Sequence, residues 1–180
     1  MGGAVYVRWG GLFVQWPGTE LVYSGRAGGS RYNHRGGGAN HLCMPDDPEH
    51  LQYTSGVQGN SYMYGVEYRP HSQPLQTVNY HNVPCAVCHV TTRATLLMIP
   101  AKVNCPTNWT TEYTGYLMTE RYGHHRSTYE CVDKDPESVA GLNGSNDYQA
   151  LLYHVEPICT GLSCPPYDSE KELTCVVCSH

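Results

Sequence analysis

The chain repeats itself, and this constrains its fold more than any other property. Cys85-Ala86-Val87-Cys88 returns as Cys175-Val176-Val177-Cys178 at an offset of 90. The same offset lays Gly25 on Gly115, Tyr32 on Tyr122 and His34 on His124. Thr19-Glu20 can be laid on Thr111-Glu112. At an offset of 88, Cys43 falls on Cys131 and Asp47-Pro48-Glu49 on Asp135-Pro136-Glu137. Tyr64-x-Val66-Glu67 matches Tyr153-x-Val155-Glu156 at an offset of 89. Ordered agreement over most of the chain marks a tandem duplication. The division reads as residues 1–91 for the first copy and 92–180 for the second.

The copies differ in cysteine. The first holds Cys43, Cys85 and Cys88; the second holds Cys105, Cys131, Cys159, Cys164, Cys175 and Cys178. Nine is odd, so one thiol lacks an intrachain partner. Together with the sequons Asn108-Trp109-Thr110 and Asn143-Gly144-Ser145, this content favours an oxidising, extracellular setting. The first residues, Met1-Gly2-Gly3-Ala4-Val5, have neither the basic region nor the apolar core of a signal peptide.

Short β-branched or aromatic runs lie between turn signals: Ala4–Val7, Leu21–Tyr23, Tyr62–Tyr64, Ala86–Val90, Leu96–Ile99, Leu151–Val155 and Cys175–Cys178. They read as strands. Each Asp-Pro-Glu triplet fits a helix start, with Asp as N-cap and Pro at the first helical position, so a short helical turn is expected after each. The stretch Gly25–Asn40, rich in Gly, Arg, Asn and His, reads as an exposed loop. The expected fold is all-β: two tandem homologous subdomains with short helical turns, stabilised by disulfides and related by a pseudo-twofold.

Charge and hydropathy exclude several classes. The net charge is −5, and no basic stripe with interleaved aromatics suggests nucleic acid. No apolar run approaches a membrane span; Leu96–Ile99 stops at Pro100. Fifteen Tyr against one Phe suit half-wet sheet faces and binding surfaces.

A further set of motifs has a wider resonance. Asn82-Val83-Pro84-Cys85-Ala86-Val87-Cys88, Leu97-Met98-Ile99, Cys105-Pro106-x-x-Trp109 and Tyr113-x-Gly115-Tyr116 together resemble the carboxy-terminal non-collagenous domain of type IV collagen. Gly2–Gly10, Tyr23–Ser30, Gly36–Pro48 and Pro165–Cys178 are more similar to the carboxy-terminal domain of invertebrate short-chain collagens. The sequence contains no Gly-X-Y tract, and Leu12–Pro17 stands where that family has its first Cys-Pro. The resemblance implies the bridges Cys43–Cys85, Cys131–Cys175, Cys105–Cys178 and Cys159–Cys164, leaving Cys88 as a free thiol. The residues by themselves leave the connectivity open.

Other chemistry was weighed against plainer readings. Two Cys-x-x-Cys pairs can hold zinc, but they close symmetric repeats, which favours disulfides. Cys88 with His81 or His89 is a conceivable thiol pair, read instead as a structural cysteine whose partner was lost. Asp46, Asp47, Glu49 and Asp133, Asp135, Glu137 lack the regular loop of a calcium hand and suit helix caps. Arg26, Arg31, Tyr32, His34, Tyr122 and His124 are the candidate ligand or interface residues, and no cofactor is expected. The resemblance implies a non-catalytic, secreted matrix domain that assembles with itself, as a trimer, or with related collagen-like chains. The alternative is a secreted lectin whose loops Gly25–Asn40 and Tyr113–Tyr129 carry two equivalent glycan sites.

Overall fold

The computed structural model describes residues 2–14, 16–71, 73–141 and 148–180; the sequon at Asn143 lies outside them. The strands are β1 (Ala4–Trp9), β2 (Thr19–Gly29), β3 (Leu42–Pro45), β4 (Tyr64–Tyr68), β5 (Pro84–Val90), β6 (Leu96–Pro100), β7 (Thr110–Thr119), β8 (Glu130–Asp133), β9 (Ala150–His154) and β10 (Thr174–Ser179). Among the described residues no helix is long and apolar enough to cross a membrane.

The two copies build the same ladders. In the first, β5 lies between β1 and β2, and β2 also pairs β3 and β4. In the second, β10 lies between β6 and β7, and β7 also pairs β8 and β9. The ladder Gly25↔Cys85 matches Gly115↔Cys175, and both copies skip one residue in the same place, Val22 and Glu112. Such a β-bulge re-aims the side chain it displaces. It also fixes the local offset at 90, so Glu112 is the counterpart of Val22, not of Glu20 as the Thr-Glu alignment suggested.

The copies are joined by two parallel contacts. β1 meets β8 at Trp9↔Val132, and β4 pairs β9 through Val66↔Ala150, Glu67↔Leu151 and Tyr68↔Leu152. Because β9 also pairs β7, the hydrogen-bonded circuit β7-β8-β1-β5-β2-β4-β9 closes on itself. Closure leaves few sheet edges open. Both apolar cores draw on both copies. One packs Trp9, Val66, Tyr68 and Val83 with Met118, Val132 and Leu152. The other packs Tyr6, Cys88 and Val90 with Tyr113, Leu117 and Val177. Burying each large apolar side chain stabilises by about 1.5–3 kcal/mol.

Four disulfides close the sheet: Cys43–Cys85, Cys131–Cys175, Cys105–Cys178 and Cys159–Cys164. These are the pairs the resemblance implies. The first two are repeat counterparts, each with its Cα atoms 5.7 Å apart. Cys88 is free and buried.

Two local expectations are corrected. Among the described residues no helical turn follows either Asp-Pro-Glu triplet, and a 3-10 turn lies at Gln76–Val78. In the second copy the backbone is used elsewhere: Glu137 N–H donates to Gly10 O at 2.8 Å and Val139 N–H to Asn82 O at 3.1 Å. In a helix begun at Asp135 the Val139 N–H would donate to Asp135 O, and its bond to Asn82 takes that donor. The Gly25–Asn40 stretch is not loop throughout, since β2 runs to Gly29. A Cβ on Gly25 would lie 1.9 Å from Met44 O, and one on Gly115 1.8 Å from Val132 O. Glycine here lets β3 and β8 cross close over their partner strands.

Candidate functional site

Beyond β2 and β7 each copy makes the same tight turn. His34 N–H donates to Arg31 O at 3.0 Å, and His124 N–H to Arg121 O at 2.8 Å. The turns belong to different copies, yet the closed circuit brings them together. His125 N–H donates to Tyr32 O at 3.0 Å and Thr128 N–H to Ala39 O at 2.9 Å. The Tyr32 and His124 rings lie 4.4 Å apart. The two expected ligand loops therefore meet at one seam and do not stand as separate sites.

Between them opens a cleft of about 450 Å³, lined in part by Arg31, Arg35, Arg126, His34, His125 and Tyr122. The exposed Gly36-Gly37-Gly38 run also lines it. Gly37 has φ +101°, and a Cβ there would lie 2.1 Å from Ser30 Oγ. Glu120, also in the lining, accepts from His124 Nδ1 at 2.8 Å and from Leu151 N–H at 2.7 Å. Burial raises its carboxyl pKa, and the bond to His124 opposes the shift. Both of its carboxylate oxygens are thus already engaged by protein donors.

Of the six candidate residues, five converge here. Arg31 sits with its guanidinium 4.4 Å from the Tyr148 ring. His34 lies against Tyr64, 5.4 Å between rings. Tyr122 stands on the rim, 95% exposed. Arg26 does not join them: it projects from β2 and pairs with Asp46 at 2.9 Å. The sequence reading missed Arg35, Arg121 and Arg126. Only Arg121 carried a signal, since Arg31 and Arg121 match at the offset of 90.

A second cleft of about 460 Å³ shares Glu120 and Tyr122 with the first and adds His71, Tyr153 and His154. Both ring nitrogens of His154 are buried without a hydrogen-bond partner. Burial lowers its pKa, and Glu172 partly offsets this. No spacing signal singles out His71 or His154.

The other candidate chemistry is dispersed. Both Cys-x-x-Cys motifs send sulfur to distant cysteines, and no group of three or more His, Cys, Asp or Glu that could hold a metal occurs among the described residues. Cys88 Sγ faces Ala86 O at 3.7 Å, and burial pushes its thiol pKa up. His89, the next residue on β5, points to the opposite sheet face. Asp46 is held by Arg26 and Asp133 by Arg8.

The contact between copies is partly electrostatic. Arg8 Nε and Nη2 donate to Asp133 Oδ2 at 2.8 and 2.6 Å, both side chains buried. The Tyr6 and Tyr113 rings stack at 6.1 Å. Glu112, re-aimed inward by its bulge, accepts from Tyr6 Oη, Thr19 Oγ1, Arg93 Nη2 and Ser179 Oγ. Burial raises the Tyr6 pKa far above its ordinary value, so the phenol stays a donor. No protein-family model matches the chain.

Proposed function

We propose that the chain is a secreted, non-catalytic assembly domain that associates with itself as a trimer, in the manner expected of a carboxy-terminal domain of a short-chain collagen-like protein. One observation carries this reading. The contact between the two copies is used once inside the chain, and its repeat counterpart is left open.

Inside the chain, Tyr6 of β1 covers Tyr113 of β7, and both are buried, at 9% and 4% exposure. The ladders make Leu97 the counterpart of Tyr6 and Tyr23 the counterpart of Tyr113. Leu97 is 44% exposed and Tyr23 37%. Around Tyr23, Leu21, Val22, Leu42 and Met44 are also exposed. Among the described residues β3 pairs β2 alone and β6 pairs β10 alone. Exposed apolar side chains gathered on the paired strands β2 and β3 suit an interaction surface. β6 of one chain set on β2 and β3 of the next would repeat the internal contact, with Pro100 over Met44 where Trp9 meets Val132. Such a head-to-tail contact closes into a ring when the rotation permits. The four disulfides suit the oxidising setting of a matrix protein.

Sedimentation equilibrium of the full chain at micromolar concentration tests this. The expected species is a trimer, and Leu97→Glu should yield a folded monomer. A wild-type chain that stays monomeric overturns the proposal.

A further inference from the structure

The seam cleft has a property that self-assembly does not use. The chain carries a net charge of −5, yet its uncompensated arginines collect in one place. Arg8, Arg26, Arg69 and Arg93 each hold a carboxylate. Arg35, Arg121 and Arg126 have no carboxylate at salt-bridge distance among the described residues; all three lie on the two loops that form the seam, Arg35 and Arg126 lining its cleft and Arg121 the neighbouring one. Arg31 lies beside Arg35 in the same cleft. Local positive charge on an acidic protein attracts an anion against the overall field.

The cleft is also a built shape. Backbone hydrogen bonds cross it from one copy to the other, so its walls are set before any ligand arrives. A Cβ on Gly36 would meet nothing within 4 Å, so the cleft is open to solvent at that glycine. The one carboxylate in the lining, Glu120, is already engaged by His124 and by the Leu151 N–H. At about 450 Å³ the space lies within the range of small-ligand sites.

We infer that this cleft binds an acidic glycan, a sugar bearing sulfate or carboxylate groups. Guanidinium forks recognise sulfate and carboxylate with paired hydrogen bonds. His34 and His125 add donors, and the exposed Tyr122 ring offers a flat apolar face to the C–H side of a sugar. An acidic peptide would satisfy the arginines, but beside Ala39 and Tyr122 the cleft is lined by Arg, His, Ser, Asn, Gly and Glu120 and offers few apolar contacts to peptide side chains. His41 of the lining borders β3, but Arg35 and Arg126 lie outside β3 and β6, so their variants test the site apart from trimer formation.

Titration calorimetry of the full chain with a heparin-derived hexasaccharide tests the inference. Binding at micromolar affinity is expected. The double variant Arg35→Ala/Arg126→Ala should weaken it about tenfold or more with an unchanged melting temperature. Arg26→Ala, which removes an equal charge elsewhere, should change it less than about twofold. Tyr122→Ala should weaken the glycan but not inorganic sulfate. No binding overturns the inference, as does binding that survives the double variant or falls equally with Arg26→Ala. Equal affinity for a polyglutamate peptide also overturns it, because the site would then read charge alone.

Discussion

β8 and β3 are repeat counterparts with different surroundings. β8 is covered on its outer side by β1, and Asp133 at its end is buried against Arg8. β3 has no second partner among the described residues, and Leu42 and Met44 face solvent. The sequence has adapted to each place. The covered contact carries a buried ion pair, a Tyr–Tyr stack and the inward Glu112 network. The open one carries Ile99, Leu97, Tyr23 and Val22 at the counterpart positions, all apolar or amphipathic. A duplicated fold has thus specialised one contact as a permanent polar clasp and kept the other apolar.

The largest test of that difference is the clasp. Asp133→Ala leaves Arg8 buried without its partner and should cost about 3–5 kcal/mol in urea denaturation. The double variant Arg8→Met/Asp133→Leu gives the covered contact the apolar character of the open one. It should recover most of the loss. If Asp133→Ala is as stable as wild type, the two contacts do not differ in the way described.

Next comes the cysteine asymmetry. The Cys105–Cys178 bridge has no counterpart in the first copy, where Cys88 is free. Cys105→Ala/Cys178→Ala should cost about 2–4 kcal/mol, measured by the same denaturation. It makes the second copy resemble the first in bridging. A loss well below that range would mean that the first copy gave up little with its missing bridge.

The smallest effect is in pH. His154 has Gly65 as its ladder counterpart, so only the second copy carries this buried imidazole. Its folded pKa is depressed, and the unfolded chain takes up the proton first as pH falls below about 6.5. Stability contributed by the neutral form is therefore lost from there down through the folded pKa. Melting temperatures between about pH 7.5 and about pH 5.5 should fall less steeply for His154→Phe than for wild type.

Much of the strand pattern is legible in the residues. Ala4–Val7, Leu21–Tyr23, Ala86–Val90, Leu96–Ile99, Leu151–Val155 and Cys175–Cys178 all fall in or overlap strands. The short β3 and β8 escape, because four residues with one Cys, a Pro or acidic ends give no periodicity to read. β7 escapes because its Thr, Tyr and Gly residues also suit a loop. The Asp-Pro-Glu triplets mislead for another reason: a helix start signal is local, and after the second triplet a tertiary hydrogen bond from Val139 to Asn82 claims the donor a helix would need. Four of the six candidate ligand residues, Tyr32, His34, Tyr122 and His124, follow from the repeat, and Arg31 follows from the polar Gly-rich loop that carries it. Arg35 and Arg126 were not found, since nothing in their spacing tells that the two loops touch.

The sequence by itself determined the duplication, the all-β character and the odd number of thiols, because these follow from offsets, side-chain type and counting. Only the tertiary structure decided that both copies share their cores, that one contact is closed while its twin is open, and that two distant loops form one cleft. Those outcomes depend on which strand edges meet across roughly ninety residues of chain, and a repeat specifies its own ladders without specifying how its copies are set against each other.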